Sequence, residues 1–427
     1  MRIPIAIDGP THRTRRMRFV VLAAFVSMLP LAVWWRQFRR LFFFGDDWQL
    51  LLDASTHTLT AWLLQPYSGE GILPLYKLIW IAAVKFTGGS YLTILALQWL
   101  THFIILLLFG RLLLRLGFGA PASATAVATL GLAWSNMETL AWAMQWSALL
   151  AVLFLLIAWH LLLGILGGRR WLVYYVLCLL ASGLVSTRGI FYGAVLAAFL
   201  SFGDAKQKWQ LIGWSLLPSA LVTAATLLAK ESGAANLASV ASVASLLHLT
   251  SFAVQILLLN PLYDLISYPG RYMGTVAVML FGAAKIAVVI WAFPGAKDTA
   301  KDTRMRELLW TLLAFDVLNA LATGYGRAST GDSATVSSRY QYVSLLCFGP
   351  FLGAAVASLR KEVAVIMIFV WLGAISYPWK RHLDVWTTQR GTDIRAAIET
   401  GSPNARFDPS PLTVQQAREL VERYHLH

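Results

Sequence analysis

Apolar stretches of about 16–25 residues recur from Phe19 to Trp379, and each is long enough to match a hydrocarbon layer about 30 Å thick. Short polar or basic segments separate them. Within lipid every backbone amide must find an internal partner, so apolar runs of this length are helices. The pattern predicts an all-α polytopic membrane protein.

The basic residues set the orientation. Clusters at Arg13–Arg18, Arg111/Arg115, Arg169/Arg170, Lys206/Lys208, Lys297–Arg306 and Arg360/Lys361 can all lie on the cytoplasmic side at once. That arrangement requires spans near 19–36, 91–110, 121–135, 142–166, 171–187, 189–203, 209–229, 273–293, 307–323, 341–358 and 362–378. The count is about eleven transmembrane helices, within a range of about ten to thirteen because short spans have soft ends. Residues 1–18 form a basic cytoplasmic N-terminus, 19–378 the transmembrane module, and 379–427 a polar tail on the outer side with an amphipathic helix over 412–424. Two apolar stretches remain, 72–87 and 246–262. If both crossed, Arg111, Arg169 and Lys206 would move outside, so each is expected as a juxtamembrane or re-entrant helix on the outer side.

Composition agrees. Of 427 residues 58% are hydrophobic and 13% charged, about half the charged fraction of a soluble domain. A soluble enzyme, a secreted disulfide scaffold and a disordered binder are excluded. The net charge of +14 sits at the ends of apolar runs instead of along one face, which is the inside bias of membrane proteins and not a nucleic-acid footprint. Cys178 and Cys347 both lie within apolar runs, which argues against a disulfide or a cysteine-based metal site. The first span lacks a small-x-small cleavage site and is expected to remain as an uncleaved anchor.

The unusual residues fall in the outward segments. The first outer loop, 37–90, opens with FFFGDDWQLLLD at 42–53. Asp46 or Asp47 can serve as a general base tuned by burial or as an oxygen ligand for a metal; equally, a carboxylate there can cap a helix N-terminus. The same loop carries His57, Glu70, Lys77 and Lys85 beside aromatic side chains. A lysine in such a run either snorkels to the interface or offers a point charge to a phosphate. SNMETLAW at 135–142 places Glu138 between two spans, and Asp316 lies within the span 307–323. Acidic groups at such depth are functional or paired, and pairing with an arginine is the expected account of Asp316. The Gly- and Ser-rich loop 324–340 brackets Arg327 and Arg339 and ends at Tyr340, and Arg188 sits between two further spans. Outward arginines break the inside bias, and a guanidinium binds phosphate oxygens bidentately or contacts lipid headgroups. No Walker A, GxGxxG, HExxH or GxSxG pattern occurs in a credible context.

A basic N-terminus, one span and an outer loop opening with a paired acidic motif resemble the GT-C membrane glycosyltransferases over residues 15–205. LPLYKL at 73–78 is similar to the Pro-Leu-aromatic stretch of many members, and the GRA…SSRY segment resembles one common among bacterial members. Ile72 and Leu73 stand where a basic residue often precedes that stretch, with Lys77 as its substitute, and no large soluble C-terminal domain of the oligosaccharyltransferase kind follows.

The resemblance implies an inverting enzyme at the outer face, using a polyprenyl-phosphate-linked sugar and a glycan, lipid or protein acceptor. Asp46 would be the base. Asp47 or Glu138 would orient sugar, acceptor or a divalent ion (Mg or Mn). Arg327 and Arg339, with Lys77 and Arg188, would hold the donor phosphate, and His57, Glu70, Glu138 and Tyr340 would face sugar or acceptor. Two other classes use the same arginines: a flippase for a lipid-linked sugar, and an O-antigen polymerase-like enzyme. The absence of an Asn-x-Ser/Thr sequon and the Arg-, Ala- and Leu-rich composition favour a bacterial inner membrane, with the site facing the periplasm or exterior.

Overall fold

The computed structural model describes residues 10–67, 71–202, 207–229, 270–293, 300–326, 338–376, 383–384, 386–402, 407 and 412–427. Among them there is no strand, only an isolated bridge between Tyr67 and Gly71. Each of the eleven stretches expected as spans is helical. Among the described residues five helices are long and apolar enough to cross a membrane: Arg16–Val33, Tyr91–Arg115, Ala143–Leu166, Lys208–Ala229 and Thr303–Gly324. Ala120–Leu132, Leu172–Val185, Thr187–Phe202, Gly282–Ala292 and Gln341–Ala357 are shorter apolar helices.

Boundaries moved for local reasons. The first span is interrupted between Pro10–Val26 and Leu29–Val33, because Pro30 has no amide to continue the ladder. The helix expected over 307–323 runs from Ala300 to Gly326, so it starts within the basic cluster. The stretch 72–87 forms Pro74–Phe86, led by a proline in its first turn. Thirteen residues extend about 20 Å, short of the hydrocarbon thickness. Tyr76 of this helix donates to the Ala143 carbonyl at 2.9 Å, which ties it to the second outer loop. The stretch 246–262 lies outside the described residues.

Small residues let the helices approach. A Cβ on Gly353 would lie 2.4 Å from the Ala122 carbonyl oxygen, and one on Gly349 would lie 3.0 Å from that of Ala126. A four-residue spacing of small groups on Gln341–Ala357 thus meets the same spacing on Ala120–Leu132, the close-packing device of helices in lipid. Asp316 pairs with Lys285 at 3.2 Å, not with an arginine as expected, and the same ammonium donates to Ser344.

The segments that carry Asp46, Glu138, Arg188 and Arg339 gather at one end. Trp142 Nε1 donates to the Phe44 carbonyl, Arg339 N to Glu138, Arg188 to the Arg339 carbonyl, and Phe42 N to the Arg390 carbonyl. The tail is part of this roof. Its helix Val414–Tyr424 opens with a capping box between Thr413 and Gln416. Arg423 donates to the Ser55 carbonyl, and His427 exchanges backbone bonds with Gly89 and Tyr91. At the other end Arg115 contacts His160.

Gly353→Val should lower the melting temperature of the detergent-solubilised protein, by about 1–3 kcal/mol of overpacking. Gly373→Ala, where an added Cβ meets nothing within 4 Å, should leave it unchanged or raised. Equal effects at the two positions would show that the Gly349/Gly353 seam is not a tight contact.

Candidate functional site

The acidic pair is set by Gly45, whose φ of 56° and ψ of −127° suit only glycine. The chain then enters the helix Asp46–Thr56, with both carboxylates in its first turn. They have different tasks. Asp47 is fully buried, and its Oδ2 accepts the Phe44 amide at 3.3 Å. Burial pushes its pKa well above the usual carboxylate range; the Phe44 bond opposes the shift and the Asp46 charge adds to it. Asp47 therefore closes the loop on itself, as a capping residue does. Asp46 is half-buried, its carbonyl accepts Tyr67 Oη at 3.2 Å, and its charge reaches Arg339.

The second loop brings Glu138. It runs as the turn Trp134–Asn136, the short helix Met137–Ala141 and the turn Ala143–Gln145. Such broken backbone leaves carbonyls that need donors. Gln98 Nε2 supplies Thr139 and Trp142, Tyr91 Oη supplies Ala141, and Tyr76 Oη supplies Ala143. With its backbone pinned, Glu138 accepts the Arg339 amide at 3.2 Å and lies 3.8 Å from the Arg339 guanidinium.

Three arginines surround this carboxylate end. Arg188 sits on the turn Thr187–Phe191, where Gly189 packs so closely on the Ser182 carbonyl that a Cβ would lie 2.0 Å away. Arg188 Cζ stands 5.1 Å from the Tyr340 ring centre, and Arg339 Cζ 5.2 Å from the same ring. Burial works against the Arg339 charge, but Tyr340, Glu138 and Asp46 outweigh it and the guanidinium pKa is raised. Arg339 also lies 5.4 Å from the Trp142 ring centre, and Trp142 stacks on Phe44 at 5.4 Å.

The third arginine, Arg390, comes from the tail. Its Cζ is 5.0 Å from the Phe44 ring centre and 4.9 Å from that of Trp386. Sequence reading missed it, because a polar tail outside the spans carries no pattern that tells which residue turns inward. The π-turn Thr388–Thr392 that presents it has no recognisable motif.

The other expected residues fall elsewhere. Lys77 is buried, with its ammonium donating to the carbonyls of Trp62 and Gln65, so it caps the end of the helix Leu59–Leu64. Desolvation pulls its pKa down to about 8 against the pull of Asp53. His57 is exposed, with Nδ1 close to Thr56 Oγ1 and the Asp53 carbonyl. Glu70 and Arg327 lie outside the described residues. Among the described residues no three His, Cys, Asp or Glu side chains gather as a metal cage would require. Asp47 is buried, and Glu138 faces Arg339.

No family model and no curated protein matches the sequence. Among solved structures, an archaeal oligosaccharyltransferase AglB from Archaeoglobus fulgidus, in complex with an inhibitory peptide and a dolichol-phosphate, matches at 13% identity and a TM-score of 0.48. That match covers 98% of this chain and 60% of the other. The Archaeoglobus fulgidus oligosaccharyltransferase tethered to an acceptor peptide matches at 14% identity and a TM-score of 0.48, over 96% of this chain and 59% of the other. The apo form matches at 13% identity and a TM-score of 0.49, over 98% and 60%. This chain thus spans about 60% of the length of the structures it matches. All three are oligosaccharyltransferases. At so low a similarity, what the site does follows from its own side chains.

The state of Asp47 gives a pH signature. An unfolded Asp titrates near 3.8 and the folded one well above it, so within that window the folded chain holds the extra proton. Stability from this group is greatest on the acid side and falls as pH rises through the window, by about 1.4 kcal/mol per unit. Asp47→Asn should therefore melt at or above the parent temperature at pH 7.5, and the advantage should shrink towards pH 4.5. A uniform loss at every pH in thermal melts would show that the carboxylate is charged and needed.

Proposed function

We propose that the chain is an integral-membrane glycosyltransferase that moves a sugar from a polyprenyl-phosphate-linked donor to a hydroxyl of a glycan, lipid or protein acceptor at the outer face. The observation that carries this reading is the meeting of Asp46, Glu138, Arg188 and Arg339 at one end of the helical bundle. These residues come from three loops and the turn before Gln341–Ala357, and helix packing alone does not require them to meet.

In the proposed reaction the acceptor oxygen attacks the anomeric carbon. Its proton passes to the Asp46 carboxylate, which is half-buried and acceptor-only when ionised. The bond between the anomeric carbon and the phosphate oxygen breaks, and its electron pair leaves on the phosphate. Arg188 and Arg339 stabilise that charge, in a setting where burial and aromatic faces limit water. Single displacement inverts the anomeric centre. Glu138 holds the Arg339 backbone and side chain in register, so it positions the cation and does not take the proton.

The proposed topology has eleven spans in a bacterial inner membrane, with the acidic loop, the arginines and the tail outside. In a variant with Cys178 and Cys347 replaced by Ser, an Asp332→Cys protein should react with an impermeant thiol reagent on intact cells. Lys206→Cys and Ala300→Cys should be shielded. Labelling at 206 would reverse the sidedness of the site.

Asp46→Asn should reduce release of polyprenyl phosphate from a radiolabelled lipid-linked sugar by about two to four orders of magnitude while donor binding persists. Asp47→Asn should lose far less. Near-parent turnover in a folded Asp46→Asn protein would reject Asp46 as the base.

A further inference from the structure

The described arginines of the tail fall into two kinds. Arg418 donates to the carbonyls of Ile398 and Glu399, Arg423 to Ser55, and Arg395 to Leu41. Each ties tail to tail or tail to loop, which is a structural use. Arg390 differs. Among the described residues its guanidinium makes no hydrogen bond and no ion pair; it lies between the faces of Phe44 and Trp386. Only its backbone carbonyl is used, accepting the Phe42 amide at 3.3 Å. A half-buried guanidinium whose donors take no acceptor among the described residues can offer its planar fork to an anion.

Its position shows what that is. Phe44 stacks on Trp142, and Trp142 carries Arg339 at 5.4 Å, so Arg390 and Arg339 attend the same aromatic pair. Gly391 fixes this register: a Cβ there would lie 1.8 Å from the Arg40 carbonyl oxygen and 3.0 Å from Leu41 Cα. The tail backbone therefore seats on the first outer loop just where Arg390 turns in. Arg390 thus joins Arg188 and Arg339 around Glu138 and the Phe44–Trp142 pair, a gathering of guanidiniums that suits one anion.

We infer that Arg390 is a binding residue for the phosphate of an amphiphilic phosphate ester, brought into the site by the C-terminal tail and registered by Gly391. This rests on the reading of the site as a lipid-phosphate donor site. The tail then completes the anion site, and phosphate recognition depends on its docking against Arg40 and Leu41.

The test uses the full chain in lipid nanodiscs, with farnesyl phosphate, farnesol and inorganic phosphate as probes. The parent should bind farnesyl phosphate more tightly than farnesol. Arg390→Ala should weaken farnesyl phosphate by about 10- to 100-fold and leave farnesol unchanged. Arg390→Lys should recover part of the loss, because it keeps the charge without the planar fork. Gly391→Val should imitate Arg390→Ala although the guanidinium is intact; Arg390→Gln gives the same reading should Gly391→Val fail to fold. Inorganic phosphate binding at parent strength, lost in the same variants, would identify the ligand as a free anion and overturn the amphiphile. Unchanged farnesyl phosphate affinity in Arg390→Ala and Arg390→Gln would overturn the role of Arg390 alone. A parent that does not distinguish farnesyl phosphate from farnesol would overturn the donor-site reading with it.

Discussion

Phe44 is the junction on which this end of the molecule depends. Its amide donates to Asp47, its carbonyl accepts Trp142 Nε1, and its ring lies between Trp142 and Trp386. One residue thus binds the Asp46 loop, the Glu138 loop and the tail. Its peptide groups are buried, and buried amides without partners are costly, so the three segments hold together or loosen together. The residue that follows, Gly45, turns the chain so that Asp47 faces inward and Asp46 towards the arginines.

The two adjacent aspartates show how burial separates identical side chains. Asp47 is cut off from solvent, which pushes its pKa up although the Phe44 and Met144 amides oppose the shift, and it serves the loop. Asp46 stays half-exposed, and its charge reaches Arg339. Glu138 adds its charge as a clamp on Arg339, through a direct amide bond and a 3.8 Å ion pair.

The loops can meet only because the helices beneath them pack closely. Gly349 and Gly353 against Ala126 and Ala122, and Gly189 against Ser182, bring backbones to distances that a side chain would forbid. The Lys285–Asp316 pair adds a polar tie inside the bundle, shared with Ser344 of the helix that follows Arg339. Unpaired, either charge would be expensive at that depth. Helix packing is therefore coupled to the placement of Arg188 and Arg339.

The sequence by itself determined the class of fold, because run length and basic clusters are local quantities tied to the thickness and polarity of a bilayer. It also marked Asp46, Asp47, Glu138, Arg188 and Arg339, since charged groups on outward loops stand out against an apolar background. It left open which aspartate caps and which faces the arginines, because both sit in one helical turn and only burial distinguishes them. It offered Lys77 to a phosphate, whereas two carbonyls of a neighbouring helix end hold it, a partner set 12 and 15 positions away that spacing cannot reveal. Arg390 was invisible for the same reason: among the four described arginines of the tail, a π-turn and a glycine that fits against Arg40 decide which one turns in. Contacts between segments hundreds of residues apart are decided by packing, and packing is written in the tertiary structure alone.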